Sequence, residues 1–206
     1  MYNEENAEAG EMMIREYVPA DEQEWLRCRV LSFLDCSYWN DVKTEKETYA
    51  HPSISLVAEA DGHIVGLIEL EIDSDELYGY GEGRGAMLWH MAVLPEYRRC
   101  GIAQALWRAV ECRLQEAGIA YCELWTQEDE PANRFYKRMG FEQQTESTWI
   151  RCYAHGEAAR GLVNLDAAGD IYGVEEIVFQ AEYARKAELS AVCDRIDEVR
   201  LYAKRL

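Results

Sequence analysis

The chain has 206 residues, 49% of them apolar, and its 21 basic and 39 acidic side chains give a net charge of −18. That length suffices for one globular domain with a sizeable core. The acidity argues against nucleic-acid binding, which needs a basic face, and either favours a cationic acceptor or only keeps the protein soluble.

No apolar run approaches the ~18 residues of a membrane span, so no membrane association is expected. Residues 1–11 begin Met1-Tyr2-Asn3-Glu4-Glu5, acidic and without a basic-then-apolar leader, so export is not expected and this flexible N-terminus should fray. Met12 to Val18 reads as a first strand ended by Pro19, with Asp21 capping a helix over 22–35. A short helix is expected over 43–50. Strands at Ser53–Ala60 and His63–Asp73 are joined by the hairpin turn Asp61-Gly62. Gly79, Gly81, Gly83 and Gly85 mark 74–85 as a mobile loop. A buried strand over 86–94, a helix over 101–117 capped by Gly118, and a strand at Tyr121–Thr126 follow. Pro131 suits a helix start and Gly140 its end. Ser147–Ala154 is the next strand, 156–172 should be irregular, Val174–Ile196 has helical periodicity, and Val199–Lys204 reads as a closing strand.

Cys28, Cys36, Cys100, Cys112, Cys122, Cys152 and Cys193 are odd in number, with no C-x-x-C and no paired His spacing. Neither a disulfide framework nor a metal site is expected, and reduced thiols in a cytoplasmic protein fit.

The richest stretch is Val93-Leu94-Pro95-Glu96-Tyr97-Arg98-Arg99-Cys100-Gly101-Ile102-Ala103. A strand end, a tight turn and a helix start place free N–H groups and a helix dipole where an anion can bind. Arg98 and Arg99 add positive charge, and Gly101 and Ala103 allow close approach, so a pyrophosphate is the natural guest. No Gly-Lys-Ser/Thr follows, and G-x-G-x-x-G is absent, which sets aside the two common nucleotide loops.

Arg98-x-x-Gly101-x-Ala103 after Val93-x-Pro95-x-Tyr97 resembles the acyl-CoA loop of the GNAT superfamily of N-acetyltransferases. Ala132-Asn133-Arg134-Phe135-Tyr136-Lys137-Arg138-Met139-Gly140-Phe141 resembles the family's later A-x-x-F-Y-x-x-x-G-F helix. The likeness covers residues 12–155. It implies an α+β fold, a GNAT-like mixed central β-sheet flanked by helices on both faces in three layers, as a single domain over 12–206. It also implies acetyl-CoA as cosubstrate and acetyl transfer to a primary amine by direct attack in a ternary complex. An acyl-CoA-binding sensor module without turnover is the competing reading. In the family two C-terminal strands form a hairpin. Here 156–196 intervenes as a helical insertion that either covers the acceptor cleft or makes a homodimer contact.

The resemblance also implies site roles. The backbone of Met91, Ala92 and Val93 meets the thioester and pantetheine. Arg98 lends charge, and the N–H groups of Arg99, Cys100, Gly101, Ile102, Ala103 and Gln104 hold the pyrophosphate. Tyr136 is the general-acid candidate for the departing thiolate, against packing beside Phe135. The family's Asn seven residues before that Tyr is Asp129 here, so the CoA contact is kept by Asp129, shifts to Asn133 or is lost. For the base, Glu69 and Glu71 lie two apart and share a strand face. They either take the amine proton through water, bind a cationic substrate or face solvent. His90 has a suitable intrinsic pKa and otherwise packs. Glu123 is a third option, and a bound water chain could replace all of them. Trp25, Tyr38, Trp39, Tyr49, Tyr78 and Tyr80 are candidates for an ammonium cage or for core and rim.

Overall fold

The computed structural model of the chain describes residues 12–163 and 173–206, the side chains of 145–147 excepted. Two compact units divide it, one of described residues 12–124 with Ala203–Leu206, the other of Trp125–Tyr202.

In the first unit β1 (Met13–Glu16), β2 (Ser53–Ala60), β3 (His63–Ile72), β4 (Gly85–Val93) and β5 (from Tyr121) lie side by side in that order. The first four are antiparallel, and β4 pairs with β5 in parallel. Helix α1 (Glu22–Leu34) precedes β2, and α2 (Ile102–Glu116) joins β4 to β5. Strand β3 is buried from Ile64 to Ile72, which requires cover on both faces. Gly66 faces Ile102 and Leu106 of α2. Glu69, of opposite parity, faces the side where Trp25 of α1 lies.

Three local expectations are corrected here. Asp21 makes no cap bond to α1; its carboxylate instead accepts from the Val18 N–H at 2.8 Å and pairs with Arg15 at 2.6 Å. Residues 43–50 are not helical, because their polar side chains are drawn into separate contacts with Arg29, Glu69 and His90 rather than along one helix face. The glycine-rich stretch is tied down: the buried Glu123 carboxylate accepts the N–H groups of Tyr78 and Tyr80, each at 2.6 Å.

Gly85 is explained by close approach, since a Cβ there would lie 2.5 Å from the buried Tyr121 ring. Gly85→Ala is therefore expected to lower stability by ~1–3 kcal/mol through overpacking. An unchanged midpoint in urea unfolding would contradict that contact.

The second unit contains α3 (Glu130–Arg138), β6 (Glu142–His155), α4 (Gly156–Leu162), β7 (Glu176–Glu182), α5 (Lys186–Leu189) and most of β8 (Arg195–Arg205), with strands ordered β8-β6-β7. The helical insertion expected over 156–196 is corrected. Residues 156–162 are helix rather than irregular, and 176–182 are strand rather than helix. Residues 164–172 fall outside the described part. The segment Ile177-Val178-Phe179 is β-favouring, and β6 offers it an antiparallel edge from Trp149 to His155. Phe179 and Ala181 then pack on Ile150, Cys152 and Leu189, which outweighs the helical propensity of the flanking Glu, Ala and Lys. The architecture is the mixed α+β fold expected.

Candidate active site

Strand β4 leaves its parallel neighbour early. The ladder to β5 is limited to Gly85–Tyr121, Ala86–Cys122 and Met87–Glu123, so from Leu88 onward that edge of β4 carries main-chain groups open to a ligand. The opposite edge pairs with β3 through a bulge. Glu69 faces His90 and Leu70 faces Leu88, which leaves Trp89 as the extra residue. Met91, Ala92 and Val93 continue this edge toward the turn.

The turn is built as an anion cradle. A 3-10 turn at Pro95–Tyr97 and an extended Arg98 lead to Arg99 and Gly101, both left-handed with φ of 67° and 85°. Gly101 is the residue before α2, and no side chain caps that helix. The Ala105 N–H donates to the Gly101 carbonyl at 2.9 Å, so the N–H groups of Ile102, Ala103 and Gln104 lie ahead of the helical ladder. As at any helix start, these donors have no partner in the preceding turn, and the helix dipole adds positive potential there. The Arg98 side chain is committed elsewhere, donating to Val93 O at 3.2 Å, Asp35 at 2.6 Å and Ser32 O at 3.0 Å. It ties the turn to the end of α1, so an anion there would meet main chain and the exposed Arg99. The exposed Cys100 is held by its own turn, Sγ lying 3.6 Å from Arg98 O.

Beside the open edge lies a dense polar cluster. Glu69 is fully buried and accepts from Tyr49 Oη at 2.8 Å and Ser55 Oγ at 2.6 Å, while Lys46 Nζ sits 2.8 Å from Oε1. The rings of Tyr17, Trp25 and Tyr49 surround that ammonium at 4.9, 5.7 and 5.7 Å. Burial and the adjacent Glu69 charge push the Tyr49 phenol up. Glu71 accepts from His51 N at 3.0 Å and Trp89 Nε1 at 3.1 Å. Burial alone would raise its carboxyl, but bonds from Ser74, His51 and Trp89 lower it.

His90, half-buried on β4, places Nε2 3.1 Å from Glu47. Lys43 lies 3.2 Å from the same carboxylate and the buried Arg29 3.9 Å. Against the burial that would raise it, His90, Lys43 and Arg29 hold Glu47 down at about 2. One atom each of Glu47, Glu69 and His90 lie within 4.8 Å of one another, a spacing a divalent ion can use. The Lys46 ammonium already supplies the positive charge at Glu69.

In the second unit, Asp129 caps α3, accepting from Ala132 N at 3.0 Å. Asn133 is buried, its amide donating to Gln127 O at 2.9 Å and Asp129 O at 2.7 Å, and its Oδ1 has no partner. The half-buried Tyr136 ring meets Phe135, Phe141 and Tyr202 at 5.5, 5.8 and 6.3 Å.

Of the six aromatic cage candidates, Trp25 and Tyr49 meet the Lys46 ammonium, together with Tyr17. Tyr38 packs on Phe33 at 5.6 Å, Tyr80 on Tyr121 at 6.4 Å, and Tyr78 is exposed. Lys46, Glu47, Arg29, Ser55 and Tyr17 escaped sequence reasoning. The mixed run Lys43-Thr44-Glu45-Lys46-Glu47 reads as part of a short helix, although its proximity to Tyr49 is a usable signal.

A strand with one open edge runs into a glycine-turned helix start, a geometry that suits an anion-bearing ligand. The description of the acetyltransferase (GNAT) family matches residues 11–141, and the chain belongs to that family of acetyl-CoA-using acetyltransferases. Among solved structures it is similar to the ribosomal-protein-S18-alanine N-acetyltransferase of Escherichia coli (12% identity, 95% and 94% of the two chains, TM-score 0.52). It is also similar to the PaiA N-acetyltransferase of Thermoplasma acidophilum, solved with coenzyme A (17%, 84% and 99%, TM-score 0.51). A third is the aminoglycoside N-acetyltransferase AAC(6')-Iy in complex with a bisubstrate analogue (23%, 65% and 92%, TM-score 0.51). At these identities the likeness is one of fold. Among the described residues no helix is long and apolar enough to cross a membrane.

Proposed function

We propose that the protein moves the acetyl group of acetyl-CoA to a primary amine of a cationic acceptor, by direct attack in a ternary complex. The observation that carries this reading is the cradle of unpaired N–H groups at 102–104 continuous with the open edge of β4. The diphosphate sits on the N–H groups of residues 99–104, and pantetheine runs along Met91, Ala92 and Val93. The bulge at Trp89 turns main-chain donors toward the thioester oxygen, where charge develops as the amine attacks.

His90 is the proposed base, positioned by Glu47 as a carboxylate orients an imidazole. Glu69 and Glu71 have their oxygens engaged, which suits them to holding positive charge. Tyr136 is the proposed acid for the thiolate, on the family resemblance of its helix, and Asn133 rather than the capping Asp129 has an oxygen left for the cosubstrate. Two of the similar folds act on amines, an alanine of a ribosomal protein and an aminoglycoside, which supports an amine acceptor without choosing it.

The test is a screen of polyamines, aminoglycosides and peptide N-termini with acetyl-CoA, following release of free thiol. Tyr136→Phe is expected to lower turnover by ~10²-fold or more while CoA affinity changes little. Unchanged turnover removes Tyr136 as the acid. Tight CoA binding without turnover on any amine favours the sensor module.

A further inference from the structure

We propose that Lys46 is a self-acetylation site: in the absence of acceptor, its amine takes the acetyl group of bound acetyl-CoA. The proposal rests on the transfer activity proposed above and adds the identity of an internal acceptor. Lys46 belongs to the loop between α1 and β2, yet its side chain is only 13% exposed. Its Nζ lies 2.8 Å from the fully buried Glu69, which faces His90 at the bulge of β4, where the strand's other edge is open. Tyr17, Trp25 and Tyr49 hold the ammonium by their faces. This is what an amine acceptor's seat requires: a carboxylate, π-faces, shelter from water and an adjacent imidazole within 4.8 Å of that carboxylate. The fully buried Trp25 also keeps its Nε1–H without a partner, a donor left over in the same box.

The step balances. The Lys46 ammonium gives one proton to the Glu69–His90 pair and thence to solvent. The free amine attacks the thioester carbonyl carbon, forming a C–N bond. Collapse breaks the C–S bond, whose electron pair leaves on sulfur, and the second proton lost by nitrogen ends on that thiolate. The products are an acetamide at Lys46 and free coenzyme A thiol. The amide carries no charge, so Glu69 loses the cation that it faces.

The experiment incubates the full chain with acetyl-CoA and no acceptor, and maps acetyl groups by peptide mass spectrometry against time. Lys46 is expected to be acetylated at least ~10-fold faster than Lys43 or Lys137, reflecting a held rather than a diffusing amine. The rate per molecule should not change with protein concentration, and Lys46→Arg should remove that peptide's modification. Calorimetric titration with CoA runs in parallel. CoA binding with Lys46 unmodified, or acetylation spread evenly over exposed lysines, overturns this proposal and leaves amine acetylation standing. Failure to bind CoA overturns both.

Discussion

Gly101→Val is expected to weaken coenzyme A binding by ~10–100-fold, the loss of one charge-assisted N–H contact to a phosphate at ~1.5–3 kcal/mol. Two effects of the substitution separate cleanly. Among the described residues, its chain neighbours apart, no atom lies within 4 Å of a Cβ built on Gly101, so a Cβ there has open space. Its cost to folding is conformational, because φ is +85° and a β-branched residue resists it by ~1–2 kcal/mol. Gly101→Asn tolerates the left-handed backbone and still fills the space before α2. The affinity loss should therefore persist in Gly101→Asn, while the stability loss shrinks. Titration calorimetry and urea unfolding on the two variants read these separately. Wild-type affinity in both would mean that phosphate lies elsewhere.

Glu69→Ala is expected to cost ~3–5 kcal/mol of stability, the range for stripping one partner from a buried ion pair. The Lys46 ammonium loses its carboxylate, and the hydroxyls of Tyr49 and Ser55 lose their acceptor in the same stroke. A second change tests the cause. Adding Lys46→Met removes the stranded charge, so the double variant should regain part of the loss. A cost below ~1 kcal/mol, or strict additivity of the two changes, would mean that the cluster is solvated and loose.

The motifs made the family and the turn before α2 readable in advance. Gly101 and the helix after it leave few structural options, because a left-handed residue followed by an amphipathic run fixes both the turn and the direction of its free N–H groups. The hairpin at Asp61-Gly62 was equally legible, since a two-residue turn sets the register of its strands. The parity argument that put Glu69 and Glu71 on one face holds, as both reach partners from the 49–55 stretch. What the acids do there was not legible. Their partners come from a loop with no regular period, and Lys46 and Glu47 take meaning only from contacts with Glu69 and His90, distant in sequence. The strand at 176–182 was hidden for a related reason. Its helical look is local, while the edge of β6 that recruits it lies more than twenty residues earlier. Glu123 shows the reverse case: a buried acid on a central strand invites a catalytic reading, yet it serves to hold Tyr78 and Tyr80.

The most direct test follows backbone amide resonances while coenzyme A is titrated into the protein labelled with nitrogen-15. The amides of residues 99–104 should shift most and saturate together with the binding isotherm, with Met91 and Val93 following along β4. Saturable binding that leaves 99–104 unmoved and perturbs amides elsewhere would contradict the account at its root.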